Sequence, residues 1–400
     1  MTHEVPSDWK LAALEDICEV LDSKRVPLNS EDRRDKKGSI PYWGANGIVD
    51  YIDDFIFNEP LLLMAEDGGY FNEARTRPIC HRLDGKAWVN NHAHVLRVLA
   101  PTLRDWVYYW FVHRDITQHI NGSTRSKLNQ KDLRRLPICL PPLPEQKKIA
   151  EVLSSVDEAI AATKAVIDQA KQVKKGLLQT LFSATSASDC KETVLGPVPK
   201  AWDVRPASEV CEEVIDCKNR TPPFTESGYV VVRTSNVRDG NFRRDKLSYT
   251  DRVSFEEWTK RGRPRAGDVI ITREAPVGEV CAVPEDIEVC LGQRMMLYRP
   301  NTQLLDSGYL LYALQSAGVQ NRLFILAGGS TVGHVRVGDI RGLPLPIPPM
   351  NIQKRIFQTL ASIDKQLQAS DAELSQLQNL KLGLMSDLLT GRKRVEVPDA

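Results

Sequence analysis

A chain of 400 residues has room for two or three domains, and its net charge of +1 excludes a histone-like polycation while leaving space for a basic face balanced by an acidic one. Hydrophobic content of 42% and charged content of 26% are those of an ordinary globular protein, and no apolar run approaches the roughly 20 residues that a membrane span needs. Eight cysteines at 18, 80, 139, 190, 211, 217, 281 and 290 include no C-x-x-C pair, and the N-terminal MTHEVPSDWK has no basic-then-apolar leader; reduced thiols in a soluble, cytoplasmic protein are the expectation.

Val5-Pro6-x-x-Trp9 opens the chain, with Cys18 close behind. As far as residue 140, short strand-like runs are separated by loops rich in Gly, Asn, Arg and aromatics: YWGANG (42–47), AEDGGYFNEARTR (65–77), WVNNHAH (88–94) and GSTRSK (122–127). The proline-rich LPICLPPLPEQ stops that segment, and a helix is predicted just after it, over 145–183. Its apolar residues alternate at spacings of four and three: Ile149, Leu153, Val156, Ile160, Ile167, Ala170, Leu177 and Leu181, with Thr163 at one seam position. A heptad-like seam asks for a partner helix.

The second half repeats the first. Val198-Pro199-x-x-Trp202 and Cys211 answer Val5-Pro6-x-x-Trp9 and Cys18 at an offset of 193. From Gly122 to Ser183 the match runs without a gap at an offset of 207, pairing Asp132 with Asp339, Pro137 with Pro344, Gln146 with Gln353, Asp157 with Asp364 and Gly176 with Gly383. The second unit is therefore longer in its middle. There VVVRTS and DVIITRE are strand-like and YLLYA helical, with loops VVRTSNVRDGNFRR (231–244), TREAPVG (272–278), GQR (292–294) and GGSTVGHVR (328–336). After LPLPIPPMNIQ the seam returns as Ile356, Leu360, Ile363, Leu367, Leu374, Leu377, Leu384 and Leu388, with Ser370 where the first copy has Thr163. Two such helices either pack each on its own domain or pair with one another antiparallel, as pseudo-twofold halves of one rod. At 1.5 Å per residue each is roughly 58 Å long, more than one DNA turn of about 34 Å. Between the repeated ends the contents drift: WVNNHAHVLRV (88–98) only faintly echoes CLGQRMMLYRP (290–300).

Arg and Lys for phosphates, with Asn, Gln and Arg for base edges, is the mixture of a DNA-reading loop. Residues 238–265 hold nine Arg or Lys against five Asp or Glu, a modest basic excess. Polar, Arg-containing surface loops are common, so composition alone leaves nucleic-acid binding open. Signs of catalysis are weaker. Thr221-Pro222-Pro223-Phe224 approximates the tetrad with which amino-methyltransferases grip a base, but Thr is the wrong first residue, and no Gly-rich loop for S-adenosylmethionine accompanies it. His92-x-His94 would place two imidazoles on one strand face without a third metal ligand, and structural or DNA-contacting histidines are expected there. No Walker A loop and no nuclease constellation is present. A stand-alone DNA-modifying enzyme and a coiled-coil scaffold joining two protein-binding domains are the alternatives to a recognition device.

The pattern resembles the specificity (S) subunit of Type I restriction–modification systems over essentially the whole chain. The residues that carry the resemblance are V-P-x-x-W at 5–9 and 198–202, PPLPEQKKIAEVLSSVDEAI with PPMNIQKRIFQTLASIDKQL, the helix ends GLLQTLFS and GLMSDLLTGRKRV, and IPYWGANGIVDYIDDFIF and GDVIITREAPVGEVCAVP within the units. It implies a mixed α/β chain with two target recognition domains (1–140 and 191–346) and two helical spacer regions (141–190 and 347–395) that form an antiparallel coiled coil. The family's S subunit is not catalytic. Each domain would read one half of a bipartite, asymmetric site in double-stranded DNA, with the helices setting the spacer and docking partners. Those partners would be two modification subunits, which use S-adenosylmethionine to methylate adenine N6, and two restriction subunits, which use ATP and Mg²⁺. The base-reading residues expected by chemistry are Asn46, Arg75, Asn91, His92, Arg125 and Lys127 in the first unit. In the second they are Arg233, Asn236, Arg243, Arg273, Arg294 and His334. Asn91-His92 and Gln293-Arg294 fall at matching places when the middles are aligned at an offset of 202.

Overall fold

Two 39-residue helices, Leu143–Leu181 and Met350–Leu388, dominate the computed structural model, which describes residues 6–122, 126–183, 189–329 and 333–396. The first begins two residues before the expected 145. Pro144 sits in its first turn, where the missing N–H has no intrahelical role. The chain forms two compact units, Met1–Lys164 with Ala372–Ala400, and Ala165–Asp371. Each unit therefore holds the start of one long helix and the end of the other.

In the first unit Lys10–Ala13 pairs antiparallel with Pro137–Leu140, which brings the end of the V-P-x-x-W segment to the start of the first long helix. Between these ends lies an antiparallel sheet in the order Cys18–Val20, Ala93–Val98, Leu61–Ala65, Cys80–Leu83. A second sheet contains Lys37–Gly44 beside Lys86–Val89, parallel, with Tyr42 opposite Trp88. The helix Arg104–Phe111 buries Trp106, Val107, Tyr109, Trp110 and Phe111, and the Trp106 indole donates to the Cys139 carbonyl (3.0 Å).

The second unit has the same plan. Asp203–Pro206 pairs with Pro344–Ile347. The antiparallel sheet runs Cys211–Asp216, Met295–Pro300, Val269–Arg273, Val277–Ala282. Tyr229–Val232 lies parallel to Val289–Leu291, with Val231 opposite Cys290. In the helix Ser307–Gln315 the Tyr309 hydroxyl donates to the Pro346 carbonyl (2.8 Å), as Trp106 does to Cys139. The drifting contents thus keep one topology. Buried strands need little more than apolar runs such as LLLMA or the VII of VIITR, and those tolerate wide exchange.

The repeated letters of the helices are joints. In the first unit Ile149 and Leu153 share a core with Met385, Leu388 and Leu389, and Lys381 meets Asp157 at 2.6 Å. In the second, Ile356 and Leu360 share a core against which Leu177, Leu178 and Leu181 pack, and Lys174 meets Asp364 at 2.6 Å. In each unit residue numbers rise along one helix as they fall along the other, so the pairing is antiparallel. All fifteen predicted seam residues are withdrawn from solvent. Ile149, Leu153, Val156, Ile167, Ile356, Leu360 and Leu388 are buried; Ile160, Leu177, Leu181, Ile363, Leu367, Leu374, Leu377 and Leu384 are partly buried.

The repeated Asp also accepts from the domain, taking the Tyr109 hydroxyl in one unit (2.8 Å) and the Tyr312 hydroxyl in the other (2.7 Å). The repeated Gln accepts the Leu103 N–H (3.0 Å) or the Asp306 N–H (2.8 Å) and donates to the carbonyl of Pro141 or Pro348 (both 2.9 Å). Replacing Asp364 with alanine leaves Lys174 and the Tyr312 hydroxyl without their acceptor in a partly buried place. A loss of about 2 kcal/mol is expected in urea unfolding, with Asp364→Asn recovering part of it through the Tyr312 bond.

Candidate nucleic-acid interface

Strand ends gather the candidate residues of the first unit. Asn46, exposed in the turn between Lys37–Gly44 and Gly47–Ile52, donates from Nδ2 to the Gly68 carbonyl (3.0 Å). Asn91 and His92 occupy the turn before Ala93–Val98, and the His92 carbonyl accepts from the N–H groups of Glu66 (2.9 Å) and Asp67 (3.3 Å). Lys127 is exposed, its Nζ 3.3 Å from Glu66 Oε1, while the Gly68 N–H donates to the Ser126 carbonyl (3.1 Å). The loops at 45–47, 66–68, 90–92 and 126–128 are thus tied into one edge. Arg125 lies outside the described residues. Arg75 is exposed on the turn after Phe71–Glu73, where its charge acts on Asp115.

The expected pairing of His92 with His94 on one strand face does not form. The strand begins at Ala93, so His92 remains in the turn, and His94 points into the fold. Fully buried, the His94 ring is held between Asp22 Oδ2 (Nδ1, 2.6 Å) and the Leu128 carbonyl (Nε2, 2.8 Å). Asp22, Glu66 and His94 do come within 4.8 Å of one another, but Arg25 lies 2.6 Å from Glu66 and 3.4 Å from Asp22. The cluster is a neutralised network that pins the loop. Burial pushes the Asp22 carboxyl up, but the bonds from His94, the Val95 N–H and Gln130 outweigh it and hold it below the usual range.

The second unit builds the same edge from other residues. Arg233 and Arg294, both exposed, line a polar recess of about 200 Å³ with Thr221, Thr234 and Gln293. The Arg273 N–H donates to the Arg294 carbonyl (2.9 Å), and the Val335 N–H to the Arg273 carbonyl (3.1 Å). These match Glu66 N–H to His92 and Leu128 N–H to Glu66 (2.8 Å) in the first unit. His334 is exposed and bridges to Glu274, as Lys127 does to Asp67.

Two expectations are corrected here. Asn236, expected at a base edge, is fully buried; its Oδ1 accepts the Arg233 N–H (3.0 Å) and its Nδ2 donates to the Arg243 carbonyl (3.2 Å), closing the loop that presents both arginines. Arg273, only 5% exposed, sits beneath the edge because it ends a fully buried strand; its Nη1 donates to the Val335 carbonyl (3.3 Å). Arg243 is exposed but faces elsewhere, lining a groove of about 620 Å³ with Lys171, Lys174 and Gln368 of the helices.

The chain matches the Type I restriction modification DNA specificity domain twice, over residues 6–172 and 199–379. It belongs to this family. The MjaVIII specificity subunit, from the type I restriction enzyme of Methanocaldococcus jannaschii, is 23% identical, covering 98% of this chain and 94% of its own. The EcoDI specificity subunit of Escherichia coli is 20% identical over 99% and 92%. The crystal structure of a Type-I restriction–modification S subunit from M. genitalium has the same fold, with a TM-score of 0.64, 15% identity and coverage of 100% and 99%.

The chain thus belongs to a family of DNA specificity subunits, and it carries two matched edges, one in each unit. Sequence reasoning missed Asp67 and Glu274 in them. Ala65 pairs with Ala93 and Thr272 with Met295, which puts the two carboxylates at the same position two residues beyond. The signal was the 207 offset, which holds at these positions as well as along the helices. Of Thr221-Pro222-Pro223-Phe224 only Thr221 lines the recess, and Thr250 Oγ1 donates to the Pro223 carbonyl (2.7 Å). Among the described residues no helix is long and apolar enough to cross a membrane.

Proposed function

We propose that each unit reads one half of a split, asymmetric sequence in double-stranded DNA, and that the two long helices set the unread spacer and offer partner surface. The observation that carries this reading is the double edge: one backbone scaffold, built twice, presents Asn46, Asn91, His92 and Lys127 in one unit and Arg233, Arg294 and His334 in the other. Equal scaffolds with unlike side chains suit two different half-sites. Recognition is this chain's share. The chemistry belongs to two modification subunits that bind S-adenosylmethionine and methylate adenine N6, and to two restriction subunits that use ATP and Mg²⁺. The work is cytoplasmic.

Mapping N6-methyladenine across the genome with and without this gene tests the proposal. A split motif whose methylation vanishes on deletion is the expected result. Unchanged methylation in a strain with active partner subunits would sink it.

A further inference from the structure

In both units a carboxylate stands at the reading edge, where a polyanion would be expected to disfavour it. Asp67 Oδ2 lies 3.4 Å from His92 Nδ1. Glu274 lies between two side chains, Oε1 3.9 Å from Arg294 Nε and Oε2 3.7 Å from His334 Nδ1. The pairs occupy one position on two scaffolds whose sequences have drifted apart, and the residue types differ, Asp with His in one and Glu with Arg in the other.

These contacts are looser than hydrogen bonds and partly exposed, so they contribute little to stability. A structural ion pair in the same units looks different: Arg82 reaches Asp105 at 2.7 Å and Lys174 reaches Asp364 at 2.6 Å. A side chain held at 3.4–3.9 Å is oriented yet free to leave its carboxylate for a base edge. Orientation in advance lowers the side-chain entropy lost on binding. The carboxylate also repels phosphates, so non-specific DNA is gripped less.

We infer that Asp67 and Glu274 are positioning residues that hold the reading side chain of each unit and suppress non-specific DNA binding. The inference rests on the proposed half-site reading. The test uses the complex of the full chain with its modification subunits, carrying Glu274→Gln or Asp67→Asn, which keep the shape and remove the charge. Two quantities are measured: affinity for a duplex lacking both half-sites, and methylation of duplexes bearing single base changes in one half-site at a time. Each variant is expected to bind the non-specific duplex severalfold more tightly, while discrimination falls about tenfold in one half-site and not in the other. The two variants should affect opposite halves. Wild-type values for both quantities, or specific and non-specific binding weakened together as by a damaged fold, would overturn the assignment. A wild-type complex that discriminates in neither half-site would instead overturn the half-site reading itself.

Discussion

An Arg299→Ala chain is expected to lose about 3–5 kcal/mol of stability in the second unit, whereas Arg97→Ala in the first loses no more than about 1 kcal/mol. The two arginines occupy the same place, each on the strand that follows the matched turn, opposite Glu213 and Glu19 respectively. Arg97 meets Glu59 at 2.7 Å and Glu19 at 2.5 Å, but its side chain is 32% exposed, so water screens the pair and replaces it cheaply. Arg299 lies inside. It holds Asp268 with two bonds of 3.1 and 2.9 Å, donates to the Arg263 carbonyl (2.8 Å) and pairs with Glu213. Asp268 is 1% exposed, and removing its arginine leaves a buried charge whose remaining bond is the Arg265 N–H at 3.0 Å. Urea unfolding of both variants checks the contrast. Equal losses would mean that burial does not set the energy of this pair. The strand concerned begins at Met295, directly after Arg294.

The second large effect is on recognition. Arg294→Ala should relax one half-site by tenfold or more, and His92→Ala should relax the other, because each residue occupies the same turn of its own unit. An arginine fork that meets a guanine edge with two bonds contributes about 1–3 kcal/mol of discrimination. Alanine removes it without touching the core, since Arg294 is exposed and its carbonyl bond to the Arg273 N–H is made by the backbone. Stability should therefore stay within about 0.5 kcal/mol of wild type. The measurement is methylation of duplexes with one base changed at a time, using the assembled complex. Loss spread evenly over both half-sites would refute the separate reading of halves by the two units.

Much of this was legible in the residues. The seam at Ile149, Leu153 and Val156, and its copy at Ile356, Leu360 and Ile363, is a pattern of neighbours within two helical turns, and helical periodicity depends on local spacing alone. The correspondence of the turn Asn91-His92 with Gln293-Arg294 is likewise legible in the 202 offset. Asn236 and Arg273 were misjudged because a polar residue in a loop-like stretch reads as exposed. Their burial follows from which distant backbone groups need closing, here Arg233, Arg243 and Val335.

By itself the sequence determined two repeated frames, two long amphipathic helices starting after paired prolines, and loops rich in Asn, Arg and Gly. Only the tertiary structure decided that the unlike middles share one strand order. It alone decided that Asp157 meets Lys381 and Asp364 meets Lys174, so that each unit is completed by the end of the other unit's helix. It alone set Asp67 beside His92 and Glu274 beside Arg294. The reason is range. A seam is written in spacings of three and four residues, whereas these pairings join groups from about 20 to more than 200 positions apart, and apolar runs specify burial without naming a partner.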